Sequence, residues 1–325
     1  VTALRQVTPA AAGVTRGRRS TLRRVKTLTR VLAVAALVLL VAAVVVVVRG
    51  GGSHAQPAPV VAAAATPAPR ASAHATRRTR AKKKAPAIPA APADVRGTAA
   101  RRMAIPILMY HVVTAAPPGT ANPELWVPRE TFDAELRALR DAGYYAITLR
   151  QAFDAWQDGG PLPRKPIVIS FDDGYLSQYT HAKPALRKLG WPGVLNLEVK
   201  NVGSGGLTEH QVRSMLAAGW EVDSHTITHP DLTTVGDAQL RTELVDSRRD
   251  LRRDFGSKVA EFFCYPAGRY DARVVAAVKA AGYRGATTTD EGDGVAGEPY
   301  TLKRIRVNAS DTPSALLERI RAAAA

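Results

Sequence analysis

The chain has 325 residues, enough for two average domains, and carries 45 Lys or Arg against 28 Asp or Glu, a net charge of +17. Nineteen of the basic residues and one acidic residue fall within residues 1–102, so the remainder is nearly neutral and shows no basic stripe interleaved with aromatics, which argues against nucleic-acid binding. The single cysteine, Cys264, excludes an internal disulfide and a metal knuckle of several thiolates, so stability has to come from an apolar core.

Residues 1–30 form a basic tail that includes Arg16, Arg18, Arg19, Arg23, Arg24 and Lys26. Residues 31–48 are wholly apolar between Arg30 and Arg49. As a helix they would rise about 27 Å, close to the hydrocarbon thickness of a bilayer. The charge lies ahead of this run, so the positive-inside rule predicts a single-pass signal anchor in the cell membrane, with the N-terminus cytoplasmic and the rest of the chain outside. A cleaved secretory signal is the alternative, but its apolar centre usually spans only about 7–15 residues. Residues 49–102 are rich in Ala, Pro and basic side chains and hold almost nothing bulky, which predicts a disordered linker. The basic cluster at residues 77–84 could touch anionic wall polymers or lipid head groups, although a solvated linker is the simpler reading.

Residues 103–325 read as one folded domain. Residues 105–110 form a short apolar run of buried-strand type, and residues 128–142 place Phe132, Leu136 and Leu139 at helical spacing. Strands follow at 144–148 and 166–171, the second continuously apolar, then a helix at 181–189 stopped by Gly190 and a strand at 194–197. A helix over 207–218 has Thr208 as its N-cap and Gly219 as its stop. Next come a strand at 220–224, a long charged amphipathic helix at 237–255, a strand at 261–265, a helix at 271–281 and a strand at 284–288. Repeated β-α units predict parallel strands covered by helices, a β/α barrel in preference to an open sheet.

Chemistry concentrates at two strand ends. Ser170, Phe171, Asp172, Asp173 and Gly174 close the apolar strand, and two adjacent carboxylates there could divide, one binding a cation while the other stays free as a base. Asp is also a good helix N-cap, so the pair alone does not decide. His225, Thr226, Ile227, Thr228 and His229 follow another predicted strand and supply two imidazoles four residues apart. Asp173, His225 and His229 then make the three-ligand set of a hydrolytic metal site with a position open for water. His54, His74, His181 and His210 read as ordinary surface or core histidines.

These residues resemble the polysaccharide deacetylases of carbohydrate esterase family 4, the nodulation-protein-B homology domain. Ser170–Gly174 match that family's first motif and His225–His229 its second, in the same order and at a fitting separation. Over roughly residues 103–310 the resemblance implies a distorted (β/α) barrel, generally of seven strands. It also implies Asp172 as catalytic base and Asp173, His225 and His229 as ligands of a divalent metal, zinc first, with cobalt, nickel or manganese as alternatives.

Two departures stand out. The third motif appears as Cys264, Tyr265, Pro266, Ala267 and Gly268, without the arginine that would orient the base, and the closing Leu-x-His motif is absent from the C-terminal end. Residues 106–111 instead open the domain with Met109, Tyr110 and His111, as in exported deacetylases of biofilm poly-N-acetylglucosamine. His111 is then the expected general acid, with Tyr265 and the backbone near Ala267 on the oxyanion and substrate side. Arg304 or Arg306 could supply the missing arginine, and Asp290 could orient a catalytic group. The expected reaction is removal of N-acetyl groups from an extracellular N-acetylglucosamine-containing polysaccharide. An O-deacetylase of a glycan such as acetyl xylan and a non-catalytic glycan-binding module are the competing readings. Trp126, Trp156, Trp191 and Trp220 could include a sugar-stacking platform, although packing is the commoner use of large aromatics.

Overall fold

A computed structural model describes residues 91–323 of the protein. The basic tail, the apolar run at 31–48 and most of the expected linker lie outside the described residues. Among the described residues, no helix is long and apolar enough to cross a membrane.

Eight strands run in chain order as β1 (Ile107–Tyr110), β2 (Tyr145–Ile147), β3 (Pro166–Asp172), β4 (Val194–Leu197), β5 (Glu221–Ser224), β6 (Phe262–Cys264), β7 (Gly285–Glu291) and β8 (Leu302–Arg306). Every strand pairing is parallel. The sheet runs β1-β8-β7-β6-β5-β4-β3, and β1 also pairs with β3, which closes seven strands into a barrel. β2 pairs only with β3, along its first half, through Tyr145↔Pro166 to Ile147↔Val168. This is the β/α barrel that the alternation of elements predicts.

Alternation along each strand sorts the two faces. Ile167, Ile169 and Phe171 join Leu108, Tyr110, Leu195 and Phe263 in the core beneath the outer helices. Ile107, Val168, Val194, Phe262 and Leu302, from five strands, meet in a separate core inside the barrel. Residues two and four further along these strands share that inner side, so Ser170, Asp172, Asn196, Cys264 and Arg304 converge above the apolar layer. The sheet thus stacks polar groups on a hydrophobic floor.

Helix α1 (Gly97–Arg101) and helix α3 (Leu149–Asp158) close the lower end, with helix α2 (Arg129–Asp141) between them in sequence. Phe153 of α3 reaches Phe262 with ring centroids 4.5 Å apart. The sequence reading passes over α3, although Thr148 and Gln151 form a reciprocal capping box at its start. It also assigns residues 94–101 to the linker. They are instead part of the domain, where Val95 and Leu162 exchange backbone hydrogen bonds of 2.9 Å and α1 buries Ala100. The expected cap at Thr208 holds, its side chain accepting from Gln211 N, and the structure adds a cap at Asp271, which accepts from Val274 N. The last strand and the closing helix, α9 (Pro313–Ala323), carry less apolar patterning and lie beyond the elements assigned from sequence.

One buried acid sits under β1. Glu135 of α2 is fully buried and accepts a 2.9 Å hydrogen bond from the Tyr110 hydroxyl, while its other oxygen has no partner among the described residues. Burial pushes its carboxyl up to about 8, the Tyr110 hydrogen bond pulling weakly the other way. The folded state therefore holds this proton more tightly than the unfolded chain does. The resulting stability is complete below the unfolded carboxyl pKa and is lost as pH rises through the folded value. Denaturant unfolding between pH 5 and 8 should show a decline for the native chain that is flatter in Glu135→Gln, at about 1.4 kcal/mol per pKa unit removed.

Candidate active site

The site begins at the exit of β3. Asp172 is its last residue and keeps the inward direction, and the chain then turns through left-handed backbone at Asp173 (φ 74°) and Gly174 (φ 86°). A Cβ at Gly174 would press on the Leu197 side chain, so both the turn and the close approach call for glycine. Asn201 Nδ2 donates to the carbonyl of Asp173 at 2.9 Å and holds the turn from β4's side. Two neighbouring carboxylates are thereby sent to different places.

Asp172 is buried within the barrel, where Arg304 of β8 grips it with both guanidinium nitrogens, Nη1 to Oδ1 and Nη2 to Oδ2, each at 2.8 Å. Arg304 is fully buried, its Nε donating to the carbonyl of Thr288 at 2.7 Å and its Nη2 to the Cys264 sulfur at 3.3 Å. Asn196 Nδ2 adds a 2.7 Å bond to Asp172 Oδ1. Burial alone would raise the Asp172 carboxyl, but the Arg304 charge and hydrogen bonds outweigh it and hold the group well below the usual carboxylate range. Of the two arginines left open by the sequence, Arg304 is thus the one paired with Asp172. Arg306 lines the cavity above it. Asp290 lies aside, accepting from the Tyr270 hydroxyl at 2.8 Å.

His225 and His229 come from the loop after β5, which folds back on itself. Thr226 (φ 68°) and His229 (φ 55°) take left-handed backbone, and the Thr226 hydroxyl accepts from His229 N at 2.9 Å. Glu243 clamps the loop from below, its Oε2 accepting from Ile227 N at 2.7 Å and Thr228 N at 3.0 Å. His225 Nδ1 lies 2.8 Å from the carbonyl of Cys264, which can only accept, so Nδ1 carries a proton and Nε2 is the nitrogen bare in the neutral ring that a metal would bind. That Nε2 is 3.4 Å from Asp173 Oδ1, and His229 Nε2 is 3.8 Å from the same oxygen. Asp173 Oδ1 is buried without a hydrogen-bond partner among the described residues.

This donor set fits a divalent cation. Ligands at roughly 2.0–2.1 Å around a tetrahedral ion lie about 3.3–3.4 Å apart, close to the separations found here, and an ion would satisfy the orphaned Asp173 oxygen. Asp172, His225 and Cys264 also come within 4.8 Å of one another, but Asp172 is engaged by Arg304 and the His225 nitrogen nearest Cys264 by its carbonyl. Asp173, His225 and His229 are therefore the residues that could hold the metal.

These groups open on a cavity of about 590 Å³. His111, just past β1, lines it with Nε2 3.9 Å from Asp172 Oδ2. Burial draws its imidazole below the ordinary value, while the two aspartates pull the other way. Ala267 also lines the cavity, in left-handed backbone (φ 50°) beside Gly268, where a Cβ would strike Thr289. Tyr265 forms wall: its ring is fully buried and its hydroxyl donates to the carbonyl of Tyr300 at 3.0 Å. Trp156, Trp191 and Trp220 are buried in the core, and Trp126 does not line the cavity. The aromatic at the mouth is Tyr175, 38% exposed. Asn196, Asn201 and Glu243 are among the site residues that the sequence reading misses. A polar residue in the otherwise apolar β4 was the available signal for the first.

Comparison with known proteins identifies the family. The family model described as polysaccharide deacetylase matches residues 159–286. YxkH of Bacillus subtilis (strain 168), a protein classed with the polysaccharide deacetylases, is 33% identical over 214 residues, spanning 65% of this chain and 74% of its own. The deacetylase PplD of Streptococcus pyogenes, solved with acetate, superposes with a TM-score of 0.63 at 29% identity, covering 67% of this chain and 99% of that one. The poly-β-1,6-N-acetyl-D-glucosamine N-deacetylase of Escherichia coli (strain K12) is 45% identical over 56 residues, 17% of this chain and 8% of that protein. The chain belongs to the polysaccharide deacetylase family.

The ion pair at the barrel centre sets a clear expectation. Arg304→Met should lower unfolding free energy by roughly 3–5 kcal/mol, because it strands a buried carboxylate. Adding Asp172→Asn should recover part of that loss, read by denaturant unfolding of both variants.

Proposed function

We propose that the protein is a metal-dependent hydrolase that removes N-acetyl groups from an extracellular N-acetylglucosamine-containing polysaccharide. The observation that carries this reading is the division of the carboxylate pair: Asp173 faces His225 and His229, while Asp172 faces the cavity from its pairing with Arg304. A divalent ion, zinc first, held by Asp173, His225 and His229 would polarise the acetyl carbonyl and lower the pKa of water at the site.

Asp172, kept ionised by Arg304, takes the proton of the attacking water. His111 Nε2 stands 3.9 Å from Asp172 Oδ2 and delivers a proton to the departing amine. Burial draws His111 toward its neutral form, while the two aspartates favour the protonated form that donates. The backbone N–H of Ala267, a residue that lines the cavity, would serve the developing oxyanion, with Tyr265 as wall. The products are acetate and a free amino sugar.

The short match to a poly-β-1,6-N-acetyl-D-glucosamine deacetylase supports an N-acetylglucosamine polymer as substrate. The apolar run at 31–48 with its basic lead supports a single-pass anchor in the cell membrane and a catalytic domain outside, where such polymers lie. The basic segment 77–84 would then meet anionic wall polymers or lipid head groups.

Acetate release from N-acetylglucosamine oligomers and from acetylated xylan, by chelated protein before and after zinc is restored, tests this reading. Zinc-dependent release from the oligomers is expected. Release from the xylan alone would make the enzyme an O-deacetylase, and metal uptake without release from either would make it a glycan-binding module.

A further inference from the structure

The pairing of β1 with β3 ends just short of the chemistry. Their ladder runs from Ile107↔Val168 to Tyr110↔Phe171, so His111 and Asp172 are the next residues in register, beyond the last pair. A side chain takes over at that point. Gln178, fully buried, directs its amide Nε2 at both strand exits, donating to the carbonyl of His111 at 2.9 Å and to that of Asp172 at 2.6 Å.

Gln178 opens a π-helical turn, Gln178–Ala182, a local widening of the helix often found at functional sites. Two neighbours reinforce the grip. Ser177 Oγ accepts from Val113 N at 3.0 Å, and His181 Nδ1 lies 2.6 Å from the carbonyl of Val113. One turn of chain thus holds the backbone at His111 and at Val113, two residues beyond it. The imidazole has no comparable support of its own, since its buried Nδ1 lacks a hydrogen-bond partner among the described residues. Its place relative to Asp172 is set by the backbone, and the backbone is held by Gln178.

We propose that Gln178 is a positioning residue that fixes the separation of His111 from Asp172 by bridging their two carbonyls. The proposal rests on the reading of Asp172 as base and His111 as acid. It adds a link that neither role requires: past the end of their own ladder, the acid and base strands are tied at His111 and Asp172 by one amide. Proton delivery should then depend on this amide, while the metal ligands, held by Asn201 and Glu243, should not.

The test compares two substrates on the full chain loaded with zinc. An amide needs its leaving amine protonated, whereas 4-nitrophenyl acetate releases a phenolate that needs no acid. Gln178→Leu should lower kcat on N-acetylglucosamine oligomers by about tenfold or more with KM within about twofold, while 4-nitrophenyl acetate hydrolysis and zinc content stay within about twofold. Ser177→Ala, which removes one contact of the same clamp and no buried volume to speak of, should show a smaller loss with the same selectivity, and serves if the first variant does not fold. Equal losses on both substrates, or no loss on either, would overturn the proposal. Absence of acetate release from the oligomers by the unmodified protein would instead overturn the deacetylase reading beneath it.

Discussion

A carboxylate buried inside a barrel is tolerable only if something equally buried answers it. Removing one charge from water costs several kcal/mol even after relaxation, and the cost is offset only by good geometry and by further hydrogen bonds to the remaining lone pairs. Asp172 and Arg304 meet both conditions, through a two-pronged contact completed by Asn196, Thr288 and Cys264. The pairing does more than stabilise. It ties β3 to β8 across the barrel and keeps a carboxylate ionised at the floor of the cavity.

The rest of the site follows from how the chain leaves the strands. Asp172 and Asp173 have the same chemistry and adjacent positions, yet left-handed backbone at Asp173 turns one toward two imidazoles while the other stays in the barrel. A second left-handed pair, Thr226 and His229, folds the His225 loop so that both rings reach the same oxygen. Non-glycine residues at positive φ are uncommon, and their concentration around one cavity is the backbone strain expected where geometry is set for chemistry. Glu243 and Asn201 hold these turns in place.

Much of this was legible before any coordinates, for identifiable reasons. Asp172, Asp173, His225 and His229 cluster in two short segments, each at the end of a strand that the sequence predicts, so local sequence carries their placement. The barrel was legible because strands and helices alternate, with apolar runs such as β1 and β3 and helix ends marked by Thr208, Gly190, Gly219 and Gly282. Arg304 was harder. It sits between Lys303 and Ile305 in a strand whose charges look like an exposed face, and only the two-residue period of the closed sheet shows that it points inward. Gln178 was invisible for a different reason: it lies within an ordinary-looking helix start, and its importance comes from a register between strands that sequence does not state. Three of the tryptophans belong to the core, the commoner use of large aromatics, which leaves Tyr175 at the mouth.

The central claim is that the two adjacent aspartates do different work, Asp173 holding metal and Asp172 standing free of it. Metal content after zinc loading and dialysis, measured on Asp172→Asn and Asp173→Asn side by side, tests this most directly. The account predicts about one zinc per chain in Asp172→Asn and a large loss in Asp173→Asn, as expected when one of three protein ligands is removed. Loss of zinc from Asp172→Asn with retention in Asp173→Asn would contradict it.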